Sequence, residues 1–286
     1  MYKRIVAGTD LSRTAAFATE RAALLASQVG AELTLVHAGT HPGEAFEAVA
    51  AKYDAEAIAR EGSPAEVLIS EAERLDAGLI VVGSVGMSGA RRFLLGSVPN
   101  KVSHHAPTDV LIVKTDPAPD DVSDYKTVLV GTDGSPTAMR AVEMASELAA
   151  TLGAKETIVC AYQPPTEHEL KQLRGDPNDP VTQWSAGKTE KETPEEFRWR
   201  IAGTVQAEDV LERASERASG SGVDFEVRSV EGHPAERLIS VASDEGFDLI
   251  AVGSVGMRGP KRFMLGNVPQ RVSHHAPTDV LILKTA

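Results

Sequence analysis

Two stretches of the chain carry glycines at one spacing: VGSVGMSGARRFLLGSVP from Val82 to Pro99 and VGSVGMRGPKRFMLGNVP from Val252 to Pro269. Each reads G-x2-G-x9-G, with Gly83, Gly86 and Gly96 in the first copy and Gly253, Gly256 and Gly266 in the second. Glycines let the backbone come close to an oxyanion, and the free N–H groups of a helix opened by Gly96 or Gly266 favour negative charge. A phosphate is the natural guest. The plainer reading, that these glycines only make tight turns, loses weight because the pattern recurs at the carboxyl end of an apolar strand, where open α/β sheets bind ligands. Asp10 and Asp133 end the first strand of each copy in the phrase GTD. A carboxylate there suits a ribose hydroxyl, a phosphate reached through Mg²⁺, or the cap of the following helix, and the sequence leaves all three open.

Other reactive residue types argue for structure. His104–His105 and His274–His275 are adjacent pairs. On a helix adjacent residues point about 100° apart, so they lack chelating geometry and read as last-turn cations against the helix dipole. Cys160, in TIVCAY, is the single cysteine, which excludes a disulfide within the chain and reads as core packing. Arg91–Arg92 and Lys261–Arg262 sit inside the nine-residue segments, where they either screen phosphates or are solvated surface charges. No complete G-x4-G-K-[ST] phosphate loop, nucleophile elbow or defensible Ser/His/Asp spacing is present, so no catalytic residue is assigned.

The elements that must hold the loops repeat as well. From Val82 to Thr115 and from Val252 to Thr285, 26 of 34 positions are identical, and YKRIVAGTDLS at Tyr2 matches YKTVLVGTDGS at Tyr125. Short apolar runs alternate with amphipathic ones, the signature of strand-helix-strand units around a parallel sheet. The strands are predicted at Arg4–Gly8, Leu33–His37, Ala55–Ala59, Leu79–Gly83 and Val110–Lys114, and again at Thr127–Gly131, Glu156–Ala161, Phe225–Val230, Leu249–Gly253 and Val280–Lys284. The first helix of each copy closes on a glycine, Gly30 or Gly153, and Ser12 caps the earlier one. The fold class is therefore α/β: two tandem Rossmann-like domains, each a five-stranded parallel sheet flanked by helices. Domain one is 1–115, the linker 116–124, and domain two 125–286.

The copies differ in the middle. Asp10 and Gly83 are 73 residues apart, whereas Asp133 and Gly253 are 120 apart, an excess of 47. The excess holds a polar segment, about 163–200, and leads into a long helix predicted to start at a capping box of Thr193, Pro194 and Glu196. Copy one keeps only GEAFEAVAAKY there. Both tryptophans, Trp184 and Trp199, belong to the extra segment; Trp199 is expected to pack its helix and Trp184 to sit on a lid or partner surface.

Composition bounds the partners. The 286 residues hold 29 Lys+Arg against 41 Asp+Glu, and the net charge of −12 disfavours non-specific nucleic-acid binding. No apolar run is long enough to span a bilayer, and MYKRIVAGTD shows no signal-peptide pattern, so the expectation is a cytoplasmic protein with neither nucleic-acid nor membrane partner.

These motifs resemble the universal stress protein family, whose pattern is G-x2-G-x9-G followed by Ser or Thr, with an Asp ending the first strand. The resemblance runs over both copies. It implies a stress-response protein that binds ATP, with the loop glycines and following hydroxyl on the phosphates and the Asp near the adenosine. For copy one that means Asp10, Ala38 on the adenine side, Gly83, Gly86, Gly96 and Ser97; for copy two, Asp133, Ala161, Gly253, Gly256, Gly266 and Asn267. Asn267 departs from the pattern by replacing the hydroxyl. The wording VGSVGM and LGSVP is also similar to an actinobacterial branch that prefers cyclic AMP, which makes cyclic AMP the second candidate ligand. A slow ATPase and a ligand-free interaction scaffold are the competing functional classes. In this family the last strand is often the pairing edge, so the two APTDVLI strands are expected to form an internal pseudo-dimer, with a homodimer left open. Because an amide is longer than a hydroxyl and must be oriented, the sequence favours tighter phosphate binding in copy one.

Overall fold

The computed structural model describes residues 1–85, 95–115, 122–163, 204–254 and 265–285. Copy one runs β1 (Arg4–Gly8), α1 (Arg13–Val29), β2 (Glu32–Ala38), α2 (Glu44–Lys52), β3 (Glu56–Arg60), α3 (Pro64–Arg74), β4 (Leu79–Gly83), α4 (Ser97–His105) and β5 (Asp109–Val113). Copy two runs β6 (Thr127–Thr132), α5 (Pro136–Leu152), β7 (Lys155–Tyr162), α6 (Thr204–Ser219), β8 (Phe225–Glu231), α7 (Pro234–Glu245), β9 (Leu249–Gly253), α8 (Asn267–His275) and β10 (Asp279–Leu283). Gly86, Gly256, the two basic pairs of the nine-residue segments, both tryptophans and the Thr193 capping box lie outside the described residues.

Local signals set the helix ends. Ser12 Oγ accepts from the Ala15 N–H at 3.2 Å and opens α1; Ser135 does the same for Ala138 at α5. Gly30 and Gly153 close these helices at φ of 69° and 64°, the left-handed conformation that a side chain disfavours.

The ten strands form one sheet in the order β3-β2-β1-β4-β5-β10-β9-β6-β7-β8. Every neighbouring pair is parallel except β5 and β10, which run antiparallel with Leu111 opposite Leu281. The last strands thus close the copies against each other and leave β3 and β8 at the outer edges. Central strands such as β4, β5 and β10 are buried on both faces, which is why they read as unbroken apolar runs. One face is covered by α1, α2, α5 and α6 through residues such as Leu25, Phe46, Val142 and Val210. The other is covered by α3, α4, α7 and α8 through Leu68, Val102, Leu238 and Val272.

β2 and β7 run one residue beyond the sequence expectation at each end, β6 and β8 one residue beyond it at the carboxyl end, and β3, β5 and β10 are displaced by one. β3 begins at Glu56 because Asp54 turns at φ 51° and the Ala55 N–H still bonds the Ala50 carbonyl of α2. β5 and β10 end before Lys114 and Lys284 because those backbone N–H groups leave the ladder for the Asp279 and Asp109 carboxylates, each at 2.7 Å.

The reciprocal aspartates form a polar clasp at the junction. Tyr2 donates to Asp109 at 2.8 Å, and Tyr125 donates to Asp279 at 2.6 Å. Lys284 Nζ caps the Ser103 carbonyl at the end of α4, and Lys114 Nζ caps Ser273 at the end of α8, both at 2.8 Å. The symmetry is broken by Arg21 of α1, whose Nε lies 3.2 Å from Asp279 and whose guanidinium stacks 4.1 Å from the Tyr125 ring centroid. The matching position in α5 is Met144, which offers Asp109 no charge. Burial pushes the Asp109 carboxyl up to about 6, against the lowering effect of its hydrogen bonds.

Candidate nucleotide-binding site

In each copy the order in which strands are added to the sheet reverses, so that the fourth strand lies on the other side of the first from the second. β2 lies on one side of β1 and β4 on the other, so the helices after β1 and β4 fall on opposite faces and leave a crevice at the carboxyl ends. In copy one this crevice is a cavity of about 670 Å³. Thr9 and Asp10 enter it from the end of β1, Val36 and Ala38 from β2, and Val82 and Gly83 from β4. Gly96, Ser97, Val98 and Pro99 supply the start of α4, and Pro64 and Leu68 of α3 supply an apolar wall.

The polar groups of the cavity sit at two ends. At one, Asp10 Oδ1 accepts from the Ser12 N–H at 3.0 Å, Thr9 Oγ1 accepts from the Leu11 N–H at 3.1 Å, and His37 Nδ1 lies 3.0 Å from the Thr9 carbonyl. Asp10 therefore forms the turn before α1, whose cap is Ser12 and not the aspartate, while it also lines the cavity. At the other end Gly96 is the N-cap of α4, with no capping side chain and no acidic residue in the first turn. The Gly96 N–H bonds the Ser84 carbonyl at 2.8 Å, which ties the helix start to the strand end. Leading N–H groups of α4, beside the Ser97 hydroxyl, are thus presented where an anion would be favoured. α3 approaches β1 so closely that a Cβ on Gly8 would meet Leu68 Cδ1 at 2.8 Å.

Five of the six residues named for copy one, Asp10, Ala38, Gly83, Gly96 and Ser97, therefore converge on one cavity. The sequence reading missed its apolar wall, Pro64 and Leu68, and His37; the phrase GSPAE, which opens α3 beside the crevice, was the available signal. Copy two places Asp133 after β6, Ala161 in β7, Gly253 at the end of β9, and Gly266 and Asn267 at the start of α8. Its Asp133 repeats the turn, accepting from Ser135 N–H at 3.0 Å. Cys160 replaces His37 and is buried; burial, followed by the Asp133 charge, pushes its thiol up to about 11, so it stays protonated.

The histidine pairs occupy the last turns of α4 and α8, where a cation complements the helix dipole. Burial lowers the pKa of His104 and His274. Among the described residues no group of three His, Cys, Asp or Glu side chains is placed to hold a metal, and no helix is long and apolar enough to cross a membrane.

Comparison with known proteins agrees with this architecture. A universal stress protein of Mycobacterium tuberculosis is 35% identical over 165 residues, covering 57% of this chain and 99% of the relative. The crystal structure of a universal stress protein from Archaeoglobus fulgidus superposes with a TM-score of 0.61 at 20% identity, over 99% of this chain and 96% of that one. A universal stress protein solved in complex with cAMP is 32% identical, with a TM-score of 0.41, and covers 57% of this chain and all of its own. The model of the universal stress protein family matches residues 1–57, 43–114 and 124–284, so nearly the whole chain, in two tandem copies, belongs to that family.

Proposed function

We propose that the protein is an adenine-nucleotide-binding regulatory protein of the stress response, which holds ATP in the crevice of each copy with little or no turnover. One observation carries the reading: one copy-one cavity is lined by an apolar wall, by Asp10 and by a helix start with no capping side chain. A base fits against Val36, Ala38 and Leu68, and the phosphates fit the Ser97 end, where hydroxyl and backbone donors meet. Asp10 is then placed for a ribose hydroxyl, or for a Mg²⁺ that arrives with the phosphates, since Mg²⁺ commonly takes one or two carboxylates together with phosphate oxygens. Ser97 and the start of α4 would bind; Thr9, Ser12 and His37 would orient the Asp10 turn.

Mass spectrometry of the heat-denatured protein for co-purified nucleotide, with calorimetric titration of ATP and cyclic AMP, tests the reading. Micromolar or weaker ATP binding that Mg²⁺ assists and Ser97→Val weakens is expected. Preference for cyclic AMP would move the ligand to the cyclic nucleotide, steady phosphate release would make the protein an ATPase, and no binding of either nucleotide would overturn the proposal.

A further inference from the structure

One buried carboxylate lies outside both crevices. Glu156, the second residue of β7, is fully buried; Ser146 of α5 donates to its Oε2 at 2.7 Å, and its Oε1 has no partner among the described residues. Copy one holds Leu33 and Ala23 at these positions, so the pair belongs to copy two alone. The surroundings are apolar. Glu156 stands between Val128 of β6 and Phe225 of β8, on the sheet face that α5 and α6 cover through Val142, Ala145, Ala149, Ala214 and Ala218. The charged groups of these elements are engaged elsewhere. Arg140 and Arg217 pair with Glu143 on the outer side of the α5–α6 seam, and Lys155 and Arg228 pair with Glu226 on the opposite face of the sheet. Glu147 of α5, Glu208, Asp209, Glu212, Arg213 and Glu216 of α6, and Glu231 of β8 are exposed. Asp224 is exposed and meets Glu156 through its carbonyl, which accepts from the Glu156 N–H at 2.9 Å. Burial pushes the Glu156 carboxyl up to about 7, against the lowering effect of the Ser146 hydrogen bond.

Helix α6 links this group to the Asp133 turn. In its last turn Arg217 pairs with Glu143, which lies three residues before Ser146 and so on the same side of α5, and this sets the carboxyl end of α6 beside the partner of Glu156. Nearer its amino end Val210 rests on Gly134, where a Cβ would meet Val210 Cγ2 at 2.5 Å. We propose that Glu156 is a proton-operated latch on α6: the protonated carboxyl leaves the helix seated over the α5 seam and the Asp133 turn, and the ionised carboxylate favours lifting the helix until water reaches it. An ionised carboxylate in an apolar site is disfavoured unless it is paired or hydrated, and nothing charged faces Glu156 to pair it. The sign follows from where the proton binds more tightly. The seated helix holds the proton up to about 7 and the lifted one releases it near the ordinary 4.5, so lifting becomes more favourable by up to about tenfold per pH unit across that window and levels off above it. Copy one, with Leu33 and Ala23, lacks the device.

The test is hydrogen exchange of the full chain, read by mass spectrometry from pH 5 to 8 and corrected for the intrinsic exchange rate, on the wild type, Glu156→Gln and the double variant Glu156→Leu/Ser146→Ala. In the wild type, protection of the α6 amides should fall about fortyfold between pH 5 and 7 and level off by pH 8, while α1 keeps its protection. Both variants remove the titrating group, one keeping the shape of the side chain and the other the apolar character of copy one, and either should hold α6 protection constant over the range. Three results would overturn the inference: α6 protection that does not change with pH in the wild type, the same fall in a variant without the carboxyl, or a parallel fall in α1, which would mark unfolding of the whole chain in place of a latch.

Discussion

Replacing Asp279 with alanine should damage the junction between the copies more than the same change at Asp109. Asp279 is buried, accepts from the Tyr125 hydroxyl at 2.6 Å and the Lys114 N–H at 2.7 Å, and pairs by charge with Arg21, whose Nε lies 3.2 Å away. Alanine would leave two buried donors without their acceptor and a largely buried cation without its counter-charge. Stranding one member of a buried ion pair costs about 3–5 kcal/mol. Asp109 accepts from the Tyr2 hydroxyl at 2.8 Å and the Lys284 N–H at 2.7 Å, and the position that matches Arg21 is Met144. At about 1–3 kcal/mol for each stranded donor, partly relieved by removing an unpaired buried carboxylate, its loss should be about 2–3 kcal/mol. Urea unfolding followed by circular dichroism gives both values, and the double variant Arg21→Met/Asp279→Ala completes a thermodynamic cycle. The cycle should show an Arg21–Asp279 coupling of about 1–3 kcal/mol. A coupling near zero, or an Asp109→Ala loss as large as that of Asp279→Ala, would refute the idea that Arg21 breaks the symmetry of the clasp.

Three further outcomes are expected. The Asp109 carboxyl has its pKa raised from 3.8 to about 6, so its contribution is fully present below the ordinary value and is lost as pH rises through about 6; Asp109→Asn should remove up to about 3 kcal/mol of pH dependence between roughly pH 4 and 6, read from unfolding midpoints. Glu156 is buried with one oxygen unpartnered and the other bonded by Ser146 at 2.7 Å, where copy one has Leu33 and Ala23. Since burial raises its pKa to about 7, the double change Glu156→Leu/Ser146→Ala should stabilise the chain at pH 8 by about 1–3 kcal/mol, and a lowered thermal midpoint would contradict it. Finally, Ser97→Val should weaken total ATP binding more than Asn267→Val in paired titrations; the reverse order would show that the outer segment of copy two decides occupancy.

Much of this protein was legible in local sequence. The helix cap at Ser12, glycine stops at Gly30 and Gly153, and apolar strand runs depend on residues only a few positions apart, so reading them in order predicted the two α/β units and singled out Asp10, Gly83 and Gly96, whereas Ala38 and Ser97 came from the family resemblance. The internal match of 26 in 34 positions marked the repeat before any contact was known. What tertiary structure decided rests on partners more than a hundred residues apart: the Leu111–Leu281 register, the exchange of Lys114 and Lys284 N–H groups with Asp279 and Asp109, and the reach of Arg21 across the junction. No periodicity encodes these contacts, because each follows from joining the two five-stranded halves edge to edge at β5 and β10.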